Sequence, residues 1–256
     1  ALVKSVGTNT AQVAGTTLAA TVPAGGVAQG NLIVVYFAMD GAAGVVSAAD
    51  TGGNVYTAVA NAQAGAPGTG NVRATILSAV ANTALVNGNT ITVTHPSVTV
   101  RAVSVAEFSG ANTHDAAVSV GVTGTGTTPS SGNDTTTVAS AVLIGAIAAE
   151  GPLADSFTAG AGFTTGPPTE AGTALGTAAS NVTIDPEYDV VAVTGTYAAT
   201  GTITSRDWAA ALASFYNSAI YRIDIDVIAS QGSGQVRHSA GQIRLKTGVD
   251  IRNYTS

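Results

Sequence analysis

The 256-residue chain contains no cysteine, one methionine and one tryptophan. Without cysteine there is no disulfide framework and no thiolate metal site. Charge is scarce too: Asp, Glu, Lys and Arg total 9%, against about 25% in an ordinary soluble domain. The formal net charge of −6 leaves no basic footprint of the kind nucleic-acid binding needs. Apolar runs such as 32–39 are strand length and too short to span a bilayer, so no membrane partner is expected. The opening residues Ala1-Leu2-Val3-Lys4 lack the charged, apolar and small-residue segments of a signal peptide. A small first residue fits either initiator-Met removal or signal cleavage. Helical periodicity is nearly absent as well.

What remains is strand-forming. Hydrophobic residues make up 45% and aromatics only 5%, with much of the apolar count in alanine. A buried Val or Ile stabilises by roughly 1.5–3 kcal/mol and Ala by less. The core must therefore be broad, built from many small and β-branched side chains. Exposed strand edges are usually blunted with charge, and this chain has little. Its edges must be closed internally or covered by neighbouring subunits, and the shortage of charge favours neighbours.

Short runs rich in Val, Ile and Thr alternate with Gly, Asn, Asp and Pro, as in an all-β fold. Thr16–Val22 reads as a strand ending at Pro23. Asn31–Met39 is continuously apolar, as for a strand buried on both faces. Asp50-Thr51-Gly52-Gly53-Asn54 reads as a turn, and Asn87-Gly88 as a hairpin turn. Thr90–Thr94 and Val98–Phe108 read as separate strands around His95-Pro96. Residues 117–134, rich in Gly, Thr and Ser, read as a surface linker, and Asp185-Pro186-Glu187-Tyr188-Asp189 as an acidic turn.

Several runs occur twice. Asn31–Gly41 resembles Ser140–Gly151, and Asn71-Val72 resembles Asn181-Val182. Thr90-Ile91-Thr92 answers to Thr202-Ile203-Thr204. Val105–Ser109 answers to Leu212–Tyr216, with Phe108 matched to Phe215. Two architectures accommodate this: two small sandwiches, or one larger sandwich whose two sheets are the two halves. Sparse aromatics favour the shared core. The expected fold is a jelly-roll-like β-sandwich with an internal pseudo-repeat over 1–218, its halves at about 10–111 and 127–218.

Residues 219–256 have no counterpart and form the expected C-terminal β arm. Ile220–Ile228 alternates apolar and charged residues, a half-buried strand pattern. Residues 221–256 carry five basic and three acidic residues, whereas the rest carries four basic and twelve acidic. A basic arm on an acidic body suits docking, which makes Arg222, Arg237, His238, Arg244, Lys246 and Arg252 the candidate docking residues.

No catalytic set stands out. His114-Asp115 would need a nearby serine, but no nucleophile-turn motif supports a triad. His95, His114 and His238 lack metal-ligand spacing from one another. Asp224 and Asp226 share a strand face, and the run 185–189 offers carboxylates for calcium without the spacing of an EF-hand loop. Gly124-Thr125-Gly126 and Gly160-Ala161-Gly162 lack the strand-to-helix context of a phosphate loop. Trp208, with Tyr197 and Tyr216, offers a platform for sugar stacking, although a lone Trp in an apolar strand is more often core. Asn133, Asn181 and Asn253 match the glycosylation acceptor pattern, which chance supplies in a chain this rich in Asn and Thr. No catalytic residue, metal or cofactor is expected.

The order Thr16–Pro23-Ala24-Gly25, Gly30-Asn31-Leu32-Ile33-Val34, Gly53-Asn54-Val55-Tyr56-Thr57 and Ala102–Phe108-Ser109-Gly110 resembles β-sandwich domains of tailed-phage virion proteins and bacterial surface proteins. Their pattern runs from "VPAG…GDLLV" through a "GN-x-Y" strand to an aromatic plus "SG", often with a weaker second copy. Asn31 stands where that pattern has Asp. The resemblance covers roughly residues 10–217. It implies a non-enzymatic virion structural protein, a capsid decoration or appendage subunit. Its partners would be copies of itself and a larger shell, and its place the virion surface. The alternative is a carbohydrate-binding or adhesin module at a cell surface, with surface glycans as partner.

Overall fold

The computed structural model describes residues 1–63 and 71–218. Strands dominate, and the one helical element among the described residues is a short 3-10 turn, Ala178–Ser180. The first half contributes β1 (Leu2–Thr21), β2 (Leu32–Asp40), β3 (Ser47–Asp50), β4 (Thr57–Gln63), β5 (Val72–Val80) and β6 (Thr90–Phe108). The second contributes β7 (Thr113–Gly126), β8 (Asp134–Thr135), β9 (Ala141–Ala149), β10 (Phe157–Ala159), β11 (Ala171–Gly172), β12 (Thr183–Val191), β13 (Thr196–Tyr197), β14 (Gly201–Ile203) and β15 (Arg206–Tyr216).

Two main sheets result, one from each half. The first runs β1-β6-β2-β5-β4, with β3 also on β6, and the second β7-β15-β9-β12-β11. They pack face to face. Alternation along β2 explains how. Leu32, Val34, Tyr36 and Ala38 point inward and meet Val142, Ile144, Ala146 and Ala148 of β9, with Phe108 and Phe215, in one shared core. This is the larger sandwich rather than two small ones.

The other face of each sheet is also buried, which is why residues 32–39 of β2 and all of β9 carry no charged side chain. Ile33, Val35, Phe37 and Met39 lie under Val6, Leu18, Ile91 and Val93. The cover is the β1–β6 ribbon itself. One part of β6 pairs with β2 from Arg101 to Phe108, and the other pairs with β3 from Ile91 to Thr94. The register with β1 is interrupted between Thr17↔Thr94 and Gln12↔Val100. His95-Pro96 falls at this break, so the two strands expected there are one bent strand. Arg101 secures the bend by donating to the carbonyls of Val13 (2.5 Å) and Thr17 (3.3 Å).

Two other expectations are corrected. Residues 117–126 of the expected linker belong to β7, which pairs with β15 from Tyr216↔Thr113 to Arg206↔Gly126. The acidic run 185–189 is not a turn but the middle of β12, paired with β9 along its length.

The sheet edges meet within the chain. Ser119 of β7 donates to the carbonyl of Val59 on β4. Across the sandwich, Gln12 of β1 donates to the carbonyls of Leu175 (2.9 Å) and Ser180 (2.8 Å) and accepts from the Leu175 amide (3.0 Å). Part of the edge protection expected from neighbours is thus internal, supplied by uncharged groups.

Candidate functional site

The docking residues expected from sequence, Arg222, Arg237, His238, Arg244, Lys246 and Arg252, lie outside the described residues, as do Asp224, Asp226 and Asn253. The other candidates can be placed.

His95 is buried against Phe37, ring centroids 5.2 Å apart, and its Nδ1 lies 2.7 Å from the Pro96 carbonyl oxygen. Burial lowers its pKa. His114 packs on Phe215. Asp115 turns to the opposite face, as alternation requires, and accepts from the Thr137 amide (2.7 Å) and hydroxyl (2.8 Å). Burial alone would raise the Asp115 pKa, but these donors hold it below the usual carboxylate value. One ring nitrogen of each histidine meets a backbone carbonyl, His95 Nδ1 at Pro96 and His114 Nε2 at Val118, and neither histidine forms an ion pair with an acid among the described residues.

Trp208 is 8% exposed and belongs to the core outside the second sheet. Its indole lies against Gly124, where any Cβ would collide with the ring. That accounts for the glycine at 124 without a nucleotide. Asn181 is 1% exposed, with its amide bonded to the Leu175 and Thr177 carbonyls, and is no glycosylation acceptor in this fold. The Gly53-Asn54-Val55-Tyr56 motif is a clasp. Asp50 accepts from Gly52 N, Asn54 N, Asn54 Nδ2 and Tyr56 OH, while Asn54 ties the turn to Thr83. Asn31 donates to Glu107 Oε1 at 2.7 Å, which an Asp carboxylate could not do.

The unusual chemistry is on β12. Its even positions, Ile184 and Tyr188, pack on the shared core. Its odd positions, Asp185, Glu187 and Asp189, point to the outer side, opposite Ile147, Gly145 and Leu143 of β9. Glu187 is 0% exposed. A Cβ at Gly145 would come within 2.6 Å of the Glu187 Cγ, so the glycine makes the space for this side chain. Burial pushes Glu187 up to about 8; the Gly160 and Thr200 amides pull against it, and Asp185 adds to the rise. Neither Glu187 oxygen completes a hydrogen bond among the described residues.

Pro186 shapes the edge of this strand. Tyr188 exchanges backbone hydrogen bonds with Thr164, so the even positions of β12 turn their amides away from β9. On that side β11 pairs only at Thr183 and Ile184. Pro186, with no N–H to offer, sits between these two contacts, and residues 165–170 bow out around it. A cavity of about 370 Å³ opens there, lined among others by Phe157, Pro167, Pro168, Glu170 and Asp185. The bow is anchored to the first sheet, since Ser104 Oγ donates to the Thr169 carbonyl at 2.6 Å.

Asp185 is 4% exposed. Burial raises its pKa well above the usual carboxylate range, and the charge and hydrogen bond of Glu170 raise it further. Its Oδ1 has no partner among the described residues. No group of three or more His, Asp or Glu suited to a metal occurs among the described residues.

This site was not legible as such. Proline and acids within five residues look like a turn. The period-two alternation of 184/186/188 against 185/187/189 was the available signal. Glu170 and Asp185 meet only because the chain bows around Pro186.

No protein-family model, curated protein or solved structure matches the chain.

Proposed function

We propose that this chain is a non-enzymatic virion structural protein, a capsid decoration or appendage subunit. In this reading the body is a pseudo-duplicated, jelly-roll-like scaffold, and residues 219–256 dock it onto copies of itself and onto a larger shell at the virion surface. Matched registers support the duplication. Leu32 and Val142 occupy equivalent places opposite Phe108 and Phe215, and Met39↔Arg73 corresponds in position to Ala149↔Thr183.

One observation carries the docking role. Every cationic side chain of the described body has an internal partner. Lys4 pairs with Glu107 and Arg206 with Asp155. Arg73 bonds Asn61 and the carbonyls of Ala42 and Gly44, and Arg101 secures the β1–β6 bend. The remaining five basic residues all lie in 221–256. The test is deletion of 219–256. The shortened protein should lose particle binding or self-assembly while its sandwich stays folded, and retention of both would reject the proposal. The carbohydrate or adhesin reading relied on an exposed Trp208 and loses that support with the ring buried. Glycan-array binding that falls on substitution of Tyr197 or Tyr216 would revive it.

A further inference from the structure

We infer that the cavity beside Pro186 is a binding site for an organic cation, and that an arginine guanidinium is the chemistry that fits it. This goes beyond the docking proposal and does not depend on it.

The cavity, about 370 Å³, has two ionisable side chains on its wall, Glu170 and Asp185, and both are acids. Asp185 is 4% exposed, yet its Oδ1 faces no donor among the described residues. A buried polar atom without a partner is costly, and more so if charged. The body offers no internal remedy. Arg206 is held by Asp155 at 2.7 Å, and Lys4, Arg73 and Arg101 are engaged elsewhere. The missing component is therefore an N–H donor with positive charge, brought from outside. A guanidinium presents paired N–H groups in a fixed fork that matches carboxylates. Phe157, Pro167 and Pro168 give its flat face and alkyl stem an apolar wall. A divalent ion is a poorer fit, because no set of three acidic or His ligands converges among the described residues.

Without a ligand Asp185 keeps a proton, since burial and the Glu170 charge both disfavour its ionised form. An entering guanidinium favours the ionised pair, so binding releases that proton. Affinity should rise as pH is raised through the Asp185 titration. The neighbouring Asp155, already paired with Arg206, and Glu187, deeper on the same strand, are the other acids whose charge the ligand senses.

The test uses the full chain and N-acetyl-arginine amide, with the citrulline analogue as uncharged control, followed by NMR. The arginine probe should shift resonances of Phe157, Glu170 and Asp185, and the citrulline probe should not. Glu170→Gln, at an exposed position, should weaken binding about tenfold or more without altering the fold. Asp185→Asn should do the same and abolish proton release. Two sources of the guanidinium are separated by adding a peptide of residues 219–256. Tight binding by the peptide, lost on Arg→Ala substitution, identifies the segment 219–256 as the donor. Equal binding by the free amide identifies a small cation. Absence of site-specific shifts with either probe, equal binding of citrulline, or shifts produced instead by a methyl glycoside would overturn the inference. Loss of particle docking on deleting 219–256 with probe binding intact would separate this site from the docking proposal.

Discussion

The two sheets each pair their central strand with an antiparallel neighbour over nine residues, β2 with β5 and β9 with β12, but the chemistry of their outer faces differs. On the first sheet, Thr75, Leu77 and Ala79 of β5 lie opposite Phe37, Val35 and Ile33 of β2. On the second, Asp185, Glu187 and Asp189 of β12 lie opposite Ile147, Gly145 and Leu143 of β9. On the first face Leu77 packs into the apolar cluster under the β1–β6 ribbon, and Thr75 donates to Asn61 Oδ1. The second has exchanged packing for carboxyl groups, two of them buried without full hydrogen bonding. Burying an unpaired acid destabilises a fold. The inner faces, by contrast, carry one continuous apolar core. Structural duty is thus common to both sheets, and the chemically distinctive surface belongs to the second alone.

The largest effects should be shared. Phe108 and Phe215 are both fully buried at equivalent places in the common core, so Phe108→Ala and Phe215→Ala should each cost about 3–5 kcal/mol. Urea unfolding should remain a single transition in both variants. Two separated transitions would break the comparison by showing that the halves fold independently.

The outer faces should then diverge with pH. Glu187 sits at about 8 in the folded chain against a usual 4.5. Between those values the folded state holds a proton that the unfolded state has lost, so this group's contribution to stability falls as pH rises from about 4.5 to about 8. Glu187→Gln should remove that decline. A proton held across each pH unit is worth about 1.4 kcal/mol, so the variant's advantage over the parent should reach roughly 3–5 kcal/mol at pH 8 and vanish below about pH 4.5. Leu77→Gln, the matching change on the first sheet, should destabilise at every pH. Thermal melts across the range from about pH 4 to about pH 9 decide both.

Asp115 works in the opposite direction. Its pKa is lowered, net, by the Thr137 and Ala117 donors that outweigh its burial. Its contribution is present above its unfolded value of about 3.8 and lost as pH falls below it. Asp115→Ala should cost about 1–3 kcal/mol at neutral pH, read by urea titration, with the difference shrinking in acid. At the small end, Val55→Thr and Val190→Thr change exposed side chains, one in each half, and should alter stability by no more than about 0.5 kcal/mol.

The sequence carried the shared core more clearly than the acidic face. Residues 32–39 and 141–149 are apolar without interruption, a pattern that strands covered on both sides produce directly. The matched Phe108 and Phe215 stood out for the same reason. β7 was hidden because Gly121, Gly124 and Gly126 dilute its alternation, and because as an edge strand it keeps much of its length exposed. β12 was hidden more deeply. Its proline and three acids carry the local signature of a turn, and only the tertiary arrangement, with loops closing over the second sheet, buries Asp185 and Glu187. A composition rule that places acids at the surface fails where loops enclose them.

The central claim is that β12 presents two buried carboxyls of raised pKa, Asp185 and Glu187, where β5 presents Thr75 and Leu77. Site-resolved carbon-13 NMR of the side-chain carboxyls, titrated from about pH 3 to about pH 9, tests it most directly. The account predicts that Glu187 titrates near pH 8 and that Asp185 titrates well above the ordinary aspartate value. Titration of both at about pH 4 in the folded protein, the range of ordinary carboxylates, would contradict it.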